Sequence, residues 1–308
     1  MTTLKANTTA SKESVWKGKT RGGNFGQNFL VKLIARLSVR SSYILLDVAL
    51  PFYLPFNRKG FNATKKYFVE RLGCDPKTAR KRAYATHRQF GRMMFDRFRF
   101  YSKGIQDFKV SIDGNEEFLG RLESGEGFVI AGSHVGSMEM AGYMLGLKSV
   151  RINAVIFGGE TAAMQQFRTS VLDEHGVRMI PVKDDMSHLF IIKSALDNGE
   201  LVSMPCDRLF GSKKYFETDF LGAPARFPIG AFMLAAQTGK DVLTLFNLKE
   251  EDGSYTVYVR PLEVSREGRS SREIAKDLAL AYVRQLEAIV RKYPEQWFNF
   301  YDFWKLDA

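Results

Sequence analysis

The chain has 308 residues, 45% hydrophobic and 26% charged, a composition that excludes disorder and suits one large domain or two small ones. Its two cysteines, Cys74 and Cys206, are too few and too far apart for a disulfide framework or a zinc site, and they point to a reducing compartment. The net charge of +11 is concentrated at one end: residues 1–110 hold 23 Lys and Arg against 6 Asp and Glu, whereas residues 111–308 hold 22 against 28. A polycation of this kind seeks a polyanion, and 13% aromatic content fits a bilayer interface at least as well as a nucleic acid.

Residues 1–25 are polar and Gly-rich, with Lys5, Lys12, Lys17, Lys19 and Arg21, and read as a flexible basic arm without the apolar core of a signal peptide. Phe29–Phe56 follows. Its apolar half, Tyr43–Phe56, contains Asp47, Pro51 and Pro55 and falls short of the roughly 20 apolar residues a span requires. It reads as an amphipathic or re-entrant segment lying in one leaflet, or as a hairpin of core helices. Asp75-Pro76 supplies a cap and a first-turn proline for a helix to about Tyr101. That helix carries Lys77, Arg80, Lys81, Arg82, Arg88, Arg92, Arg97 and Arg99, so it presents either a solvated face or a surface that meets anions. Residues 26–109 are thus expected to form a helical, membrane-associated region.

From residue 110 the pattern alternates. Strand-like runs are Phe128–Gly132, Ile152–Phe157, Arg178–Val182, Leu201–Pro205, Val242–Leu248 and Tyr255–Val259. Helix-like runs are Ser137–Leu147, Ala162–His175, Ser187–Asp197, Ile229–Thr238 and Ser271–Tyr293. This predicts an α/β domain over residues 110–308, a central, largely parallel sheet flanked by helices, with its site at the carboxyl ends of the strands.

Four histidines are present. His87 lies within the basic helix, His175 at a helix end before Gly176, and His188 at the start of an amphipathic helix, all positions for structural roles. His134 differs, because it follows the apolar strand ending at Gly132 and precedes a helix. Glu139 lies five residues further on, close enough for the strand-to-helix turn to bring the two together. A carboxylate on one imidazole nitrogen fixes the tautomer and lets the other nitrogen take a proton from a hydroxyl. Histidine, which titrates near neutrality in water, suits that work. Nothing resembles a phosphate-cradling Gly loop or a metal cluster, so no cofactor and no metal is expected.

Several separated blocks resemble the bacterial late (lauroyl/myristoyl-type) acyltransferases of lipid A biosynthesis, within the wider glycerolipid acyltransferase superfamily. Ser133-His-Val-Gly-Ser-Met-Glu139 resembles the family's His-x4-Asp/Glu block. Phe167-Arg168, leading to Gly176 and Ile180-Pro181, resembles the second. Ala195–Val202, then Asp207-Arg208, Gly211 and Phe220–Pro224, resembles the third, and Tyr293–Phe298 the C-terminal signature. Ser137 and Met138 replace a usual Asn-Trp pair, and Arg208 stands where Gln is common.

The resemblance implies an enzyme that moves a fatty acyl chain from an acyl carrier protein thioester, or acyl-CoA, to a hydroxyl of a membrane glycolipid such as a lipid A precursor. His134 would be the general base and Glu139 its orienting partner. Arg168 would bind substrate or stabilise negative charge, Asp207 and Arg208 would support the site, and amides near Gly136 would face the oxyanion. Read without the family, Arg168 is a surface ion pair and Asp207 a cap after a strand. Gln296 and Trp297 read as packing elements. The implied location is the cytoplasmic face of the inner membrane, peripheral or monotopic. Rival readings are a different lipid acceptor (a lysophospholipid, an amino-acid lipid or a polyene) and a non-catalytic lipid-binding protein of the same fold. Charge alone suggests a nucleic-acid binder, and no nucleic-acid motif accompanies it.

Overall fold

The computed structural model describes residues 37–144, 150–156, 176–182, 185, 187–209 and 214–305. The basic arm, the first part of Phe29–Phe56, the helix expected over Ala162–His175, Arg168 and Gly211 lie outside them.

Three helices lead the described chain. Helix α1 (Val39–Tyr53) starts where the Ser38 side chain accepts from the Ser41 amide. A 3-10 turn over Leu54–Asn57 leads into α2 (Arg58–Glu70). Helix α3 (Pro76–Lys103) begins as its sequence predicts: Asp75 accepts from the Lys77 and Thr78 amides, and Pro76 occupies the first turn, where no amide partner is lost.

The remaining elements alternate. They are β1 (Val110–Asp113), α4 (Asn115–Glu123), β2 (Val129–Gly132), α5 (Met138–Met144), β3 (Ile152–Ile156), β4 (Val177–Pro181), α6 (Ser187–Asp197) and β5 (Leu201–Pro205). The chain continues through β6 (Tyr215–Phe220), β7 (Ala223–Pro228), α7 (Gly230–Thr238), β8 (Val242–Lys249), β9 (Tyr255–Pro261) and α8 (Ser271–Lys292). Helix α8 opens on a full capping box, Ser270 with Glu273.

Seven strands form one sheet in the order β1-β9-β8-β2-β5-β3-β4. Only the β8–β9 pair is antiparallel. The other pairs are parallel, so the expected α/β class is the observed one. Strands β6 and β7 form a separate hairpin.

Residue alternation along β2 sends its side chains to opposite faces. Val129 and Ala131 join a core with α6, α7 and α8, whereas Phe128 and Ile130 join a second core with Met140 and Met144 of α5 and Phe118 of α4. Each buried side chain of this size stabilises by about 1.5–3 kcal/mol. Tyr67 and Phe68 of α2 and Ala79 of α3 belong to the first of these cores, so the N-terminal helices share it with the sheet.

Helix α1 packs on α3 in an unusual sense. Its polar residues turn inward: Asp47 accepts from Arg88 Nε and Nη2 at 2.6 and 2.5 Å, and the Tyr43 hydroxyl donates to Asp96 at 2.6 Å. Leu46 lies so close to Gly91 that a Cβ there would stand 2.5 Å from a Leu46 methyl. The apolar face turns outward, with Ile44, Val48, Phe52, Tyr53 and Phe56 all more than half exposed. No described helix is long and apolar enough to cross a membrane.

Candidate active site

Strands β2 and β5 are neighbours, with Gly132 opposite Pro205. The Cys206 amide extends the ladder to the Gly132 carbonyl at 2.9 Å. His134 and Asp207 each lie two residues beyond this matched pair, at the same height past the carboxyl ends of two central strands. The Asp207 carboxylate meets the His134 ring at Nδ1, 2.7 Å away, and its other oxygen accepts from the His134 amide at 2.9 Å. Asp207 is fully buried, whereas the His134 side chain is 32% exposed. Burial alone would raise the Asp207 carboxyl. Its electrostatic interaction with the His134 ring, its hydrogen bonds to that residue and the Arg208 charge outweigh burial and hold it down at about 2. Nδ1 is therefore anchored to a fixed negative charge, and Nε2 is the ring nitrogen that can exchange a proton with a reactant. Sequence reasoning gives the orienting bond to Glu139; at Nδ1 it is made by Asp207.

Glu139 sits in the first turn of α5. Arg97 Nη1 donates to its Oε2 at 2.8 Å, and the Tyr101 hydroxyl donates to its Oε1. Both donors come from α3, the basic helix. That run of cations is only partly a surface. Arg88 and Arg92 pair with Asp47, Arg97 with Glu139 and Arg99 with Asp107, while Lys77, Arg80 and Lys81 remain exposed.

The loop between β2 and α5 is stitched into the protein. The Val135 amide donates to Ser133 Oγ, the Gly136 amide to the Gln296 carbonyl at 2.8 Å and the Ser137 amide to the Asn247 carbonyl at 2.9 Å. The Phe298 amide returns a bond to the His134 carbonyl at 3.0 Å. Gly136 therefore does not fill the expected oxyanion role with its amide, which is occupied. The glycine is needed for backbone reasons: its φ is +66°, and a Cβ would stand 1.9 Å from the Asn247 carbonyl oxygen. At Gly132 a Cβ would meet the Met138 sulfur at 2.0 Å, so the small residue there admits the side chain that opens α5.

The C-terminal signature holds this loop from the far side. Gln296 bonds the Lys249 backbone in both directions, at 3.0 and 2.6 Å, and so extends the end of β8. Trp297 is 1% exposed, inside a cluster with Tyr67, Phe220, Phe303 and Trp304. Arg208 Nη2 donates to the Phe298 carbonyl at 2.6 Å, and its guanidinium lies over the Tyr301 ring.

Beside the site, Asp96 is 1% exposed and accepts from Tyr43, Lys249 and Tyr255, tying α1, α3, β8 and β9 together. Burial pulls Lys249 below the ordinary lysine value against the pull of Asp96. Cys206 is buried, and burial pushes its thiol well up, out of the nucleophilic range. Among the described residues no group of three or more His, Cys, Asp or Glu could hold a metal ion.

Sequence reasoning misses Arg97, Tyr101 and Asp96. Their only local signal is that Arg97 and Tyr101 are four apart and so share one helix face.

A comparison with curated proteins finds no relative. Residues 75–306, well over half of the chain, match the family described as bacterial lipid A biosynthesis acyltransferase, and the match covers the His134–Glu139 loop, Asp207 and the Gln296–Trp297 anchor. The chain belongs to this family of bacterial acyltransferases.

Proposed function

We propose that the protein transfers a fatty acyl chain from an acyl carrier protein thioester to a hydroxyl of a membrane glycolipid, with His134 as general base. The observation that carries this is the 2.7 Å bond from His134 Nδ1 to the buried Asp207 carboxylate at the ends of β2 and β5. The acceptor hydroxyl gives its proton to Nε2 as its oxygen attacks the thioester carbonyl carbon. Asp207 stabilises the imidazolium that forms. The tetrahedral intermediate then collapses: the carbon–sulfur bond breaks, the imidazolium protonates the departing thiolate, and an ester and a free thiol leave. With the amides of Val135, Gly136 and Ser137 already bonded to Ser133, Gln296 and Asn247, the oxyanion is met by side chains. Arg208 is the described candidate, and Arg168, outside the described residues, keeps the assignment that the family pattern gives it. Glu139 lines the same loop as a second carboxylate and orients the acceptor hydroxyl.

The enzyme works on the cytoplasmic face of the inner membrane without spanning it. The outward apolar face of α1 enters the headgroup boundary, and Arg58, Lys59 and the exposed cations of α3 meet anionic lipid. This positions a site for an acceptor that stays in the bilayer.

The test is His134→Ala in purified, folded protein. Losing a general base costs about 10²–10⁴-fold in turnover. Near-normal acyl transfer with an unchanged melting temperature would remove His134 from the mechanism. Mass spectrometry of membrane lipids from cells with and without the gene identifies the acceptor as the lipid that loses one chain.

A further inference from the structure

We propose that Arg97, seconded by Tyr101, is a positioning residue of the acyl-transfer site that acts through Glu139; this rests on the reading above that residues 134–139 carry the chemistry. Arg97 and Tyr101 stand four residues apart in the last turns of α3, so both project from one face of that helix. Each takes one oxygen of the same carboxylate: Arg97 Nη1 donates to Oε2 at 2.8 Å and the Tyr101 hydroxyl to Oε1. A carboxylate gripped at both oxygens from one rigid helix face does not rotate freely.

The pair is not a surface decoration. Arg97 and Glu139 side chains are only 18% and 17% exposed, where solvent screening is weak and an unpaired charge is costly. Beyond Glu139 the guanidinium lies 5.7 Å from the centre of the Phe98 ring, and its Nε is buried without an acceptor among the described residues. The neighbouring cations of α3 show the contrast. Arg88 and Arg92 serve Asp47, and Arg99 serves Asp107, all away from the β2–α5 loop. Arg97 alone in this run is paired with an acid of that loop, among the described residues. The loop itself is fixed by the Gly136–Gln296 and Ser137–Asn247 bonds, so the Glu139 side-chain torsions are what remains to be set. Arg97 and Tyr101 set them, and so fix the direction in which the carboxylate faces the acceptor hydroxyl. A group held about 1 Å out of place costs on the order of 10²-fold in rate, which is the size of effect this clamp can control.

The experiment is a double-mutant cycle in the full-length enzyme. The probes are lauroyl acyl carrier protein as donor and total bacterial membrane lipid in mixed micelles as acceptor. Arg97→Met should lower kcat by about 10²-fold with KM for the thioester within about twofold. Arg97→Lys, which keeps the charge, should recover part of that loss, and Tyr101→Phe should lose about tenfold. In a Glu139→Gln background, Arg97→Met should add less than about threefold, because the partner through which it acts is already lost. An equal loss from Arg97→Met in both backgrounds overturns the proposal, as does a loss of kcat that follows the melting temperature. If Arg97→Met does not fold, Tyr101→Phe and Arg97→Lys are run through the same cycle with the same criterion. His134→Ala in parallel separates the two levels. If wild type shows no transfer, or His134→Ala matches wild type, the reading of residues 134–139 fails and the proposal with it. If His134→Ala is inactive while Arg97→Met is as active as wild type, only the clamp fails.

Discussion

Helix α1 and the loop after β2 place the same kinds of side chain in opposite directions. In α1 Asp47 and Tyr43 turn into the protein, where Arg88, Arg92 and Asp96 receive them, and Ile44, Val48 and Phe52 turn out. In the loop, the amides of His134, Val135, Gly136 and Ser137 are all bonded to the protein, and the side chains of His134 and Glu139 sit at its partly open edge. The difference teaches what each region is for. A loop that must hold an imidazole within a few tenths of an ångström needs every amide accounted for. A helix with its apolar face outward costs free energy in water, and it is stable where its surroundings are themselves apolar. One region is tied down bond by bond, and the other has the face that the proposed bilayer contact needs.

The rigid side of this comparison is broken most severely at Asp207. Asp207→Asn keeps the shape but removes the charge and allows the wrong tautomer of His134, so kcat should fall by about 10³–10⁴-fold. Single-turnover acyl transfer measures it, and a loss of only a few fold would remove Asp207 as the orienting carboxylate. Next in size is Gly136→Ala. The left-handed φ and the 1.9 Å approach to the Asn247 carbonyl mean that the backbone itself must move. Urea unfolding should show a cost of about 2–4 kcal/mol together with lost activity. Gly73→Ala shares a positive φ but meets nothing within 4 Å, so it should cost only about 1 kcal/mol. Equal costs at the two sites would mean that the stitched loop is no tighter than an ordinary turn.

How far the sequence reveals each region follows from the same physics. Strands β2 and β8 are buried nearly end to end, so they read as continuous apolar runs and are found within a residue or two. Strand β1 lies at the sheet edge, and the β6–β7 hairpin is half exposed with Glu217, Thr218 and Asp219 in its first strand, so neither shows such a run. Helix α4, nine residues with one buried phenylalanine, escapes for the same reason. At the site, His134 is legible because a strand ends just before it. The carboxylate at its Nδ1 is not legible from spacing, which favours Glu139; only the family pattern marks Asp207 as a supporting residue, and the parallel register of β2 and β5 delivers it from 73 residues away. The α3 cations read as a surface because their acids, Asp47, Asp107 and Glu139, are scattered along the chain.

The outward apolar side is broken by charge rather than by strain. Phe52 and Phe56 are 74% and 84% exposed and belong to neither core cluster of the described residues, so Phe52→Asp with Phe56→Asp should leave the melting temperature nearly unchanged. Flotation of the protein with anionic vesicles should fall sharply, since each buried phenylalanine contributes roughly 1.5–3 kcal/mol and a charge reverses the sign. High salt should release part of the wild type, because screening reaches only the cationic contribution. Wild type that fails to float at low salt, or a double variant that floats as well as wild type, would assign this face another role. Deleting residues 1–56 is the poorer test, because it strips Asp47 from Arg88 and Tyr43 from Asp96.

The smallest effect separates the two regions by pH. His87 of α3 is 4% exposed between the rings of Phe61 and Phe300, and its Nδ1 bonds the Ala83 carbonyl at 2.9 Å. A carbonyl only accepts, so Nδ1 carries the hydrogen, and Nε2 is buried without a partner. Burial pushes this histidine below its ordinary value, and the bond to Ala83 opposes the shift only in part. Below about pH 6.5 the unfolded chain takes up a proton that the native ring refuses, so the unfolded state holds more protons and stability rises with pH. The contribution is complete above about 6.5 and is lost as pH falls toward the native value, with a slope of at most about 1.4 kcal/mol per pH unit. Asp207 titrates in a different window. Its carboxyl is held at about 2, so its contribution is complete above about pH 4 and is lost only as pH falls from there toward 2. Unfolding free energies measured from pH 7.5 to 5 should therefore span the His87 window and stay above that of the Asp207 carboxyl. His87→Phe keeps a ring between Phe61 and Phe300 but cannot titrate, so its stability should be flatter over that range than that of wild type. Parallel curves for the two proteins would show that His87 takes up its proton in the native state as readily as in the unfolded chain, and the packing between α2, α3 and the C-terminal segment would then have to admit a charge.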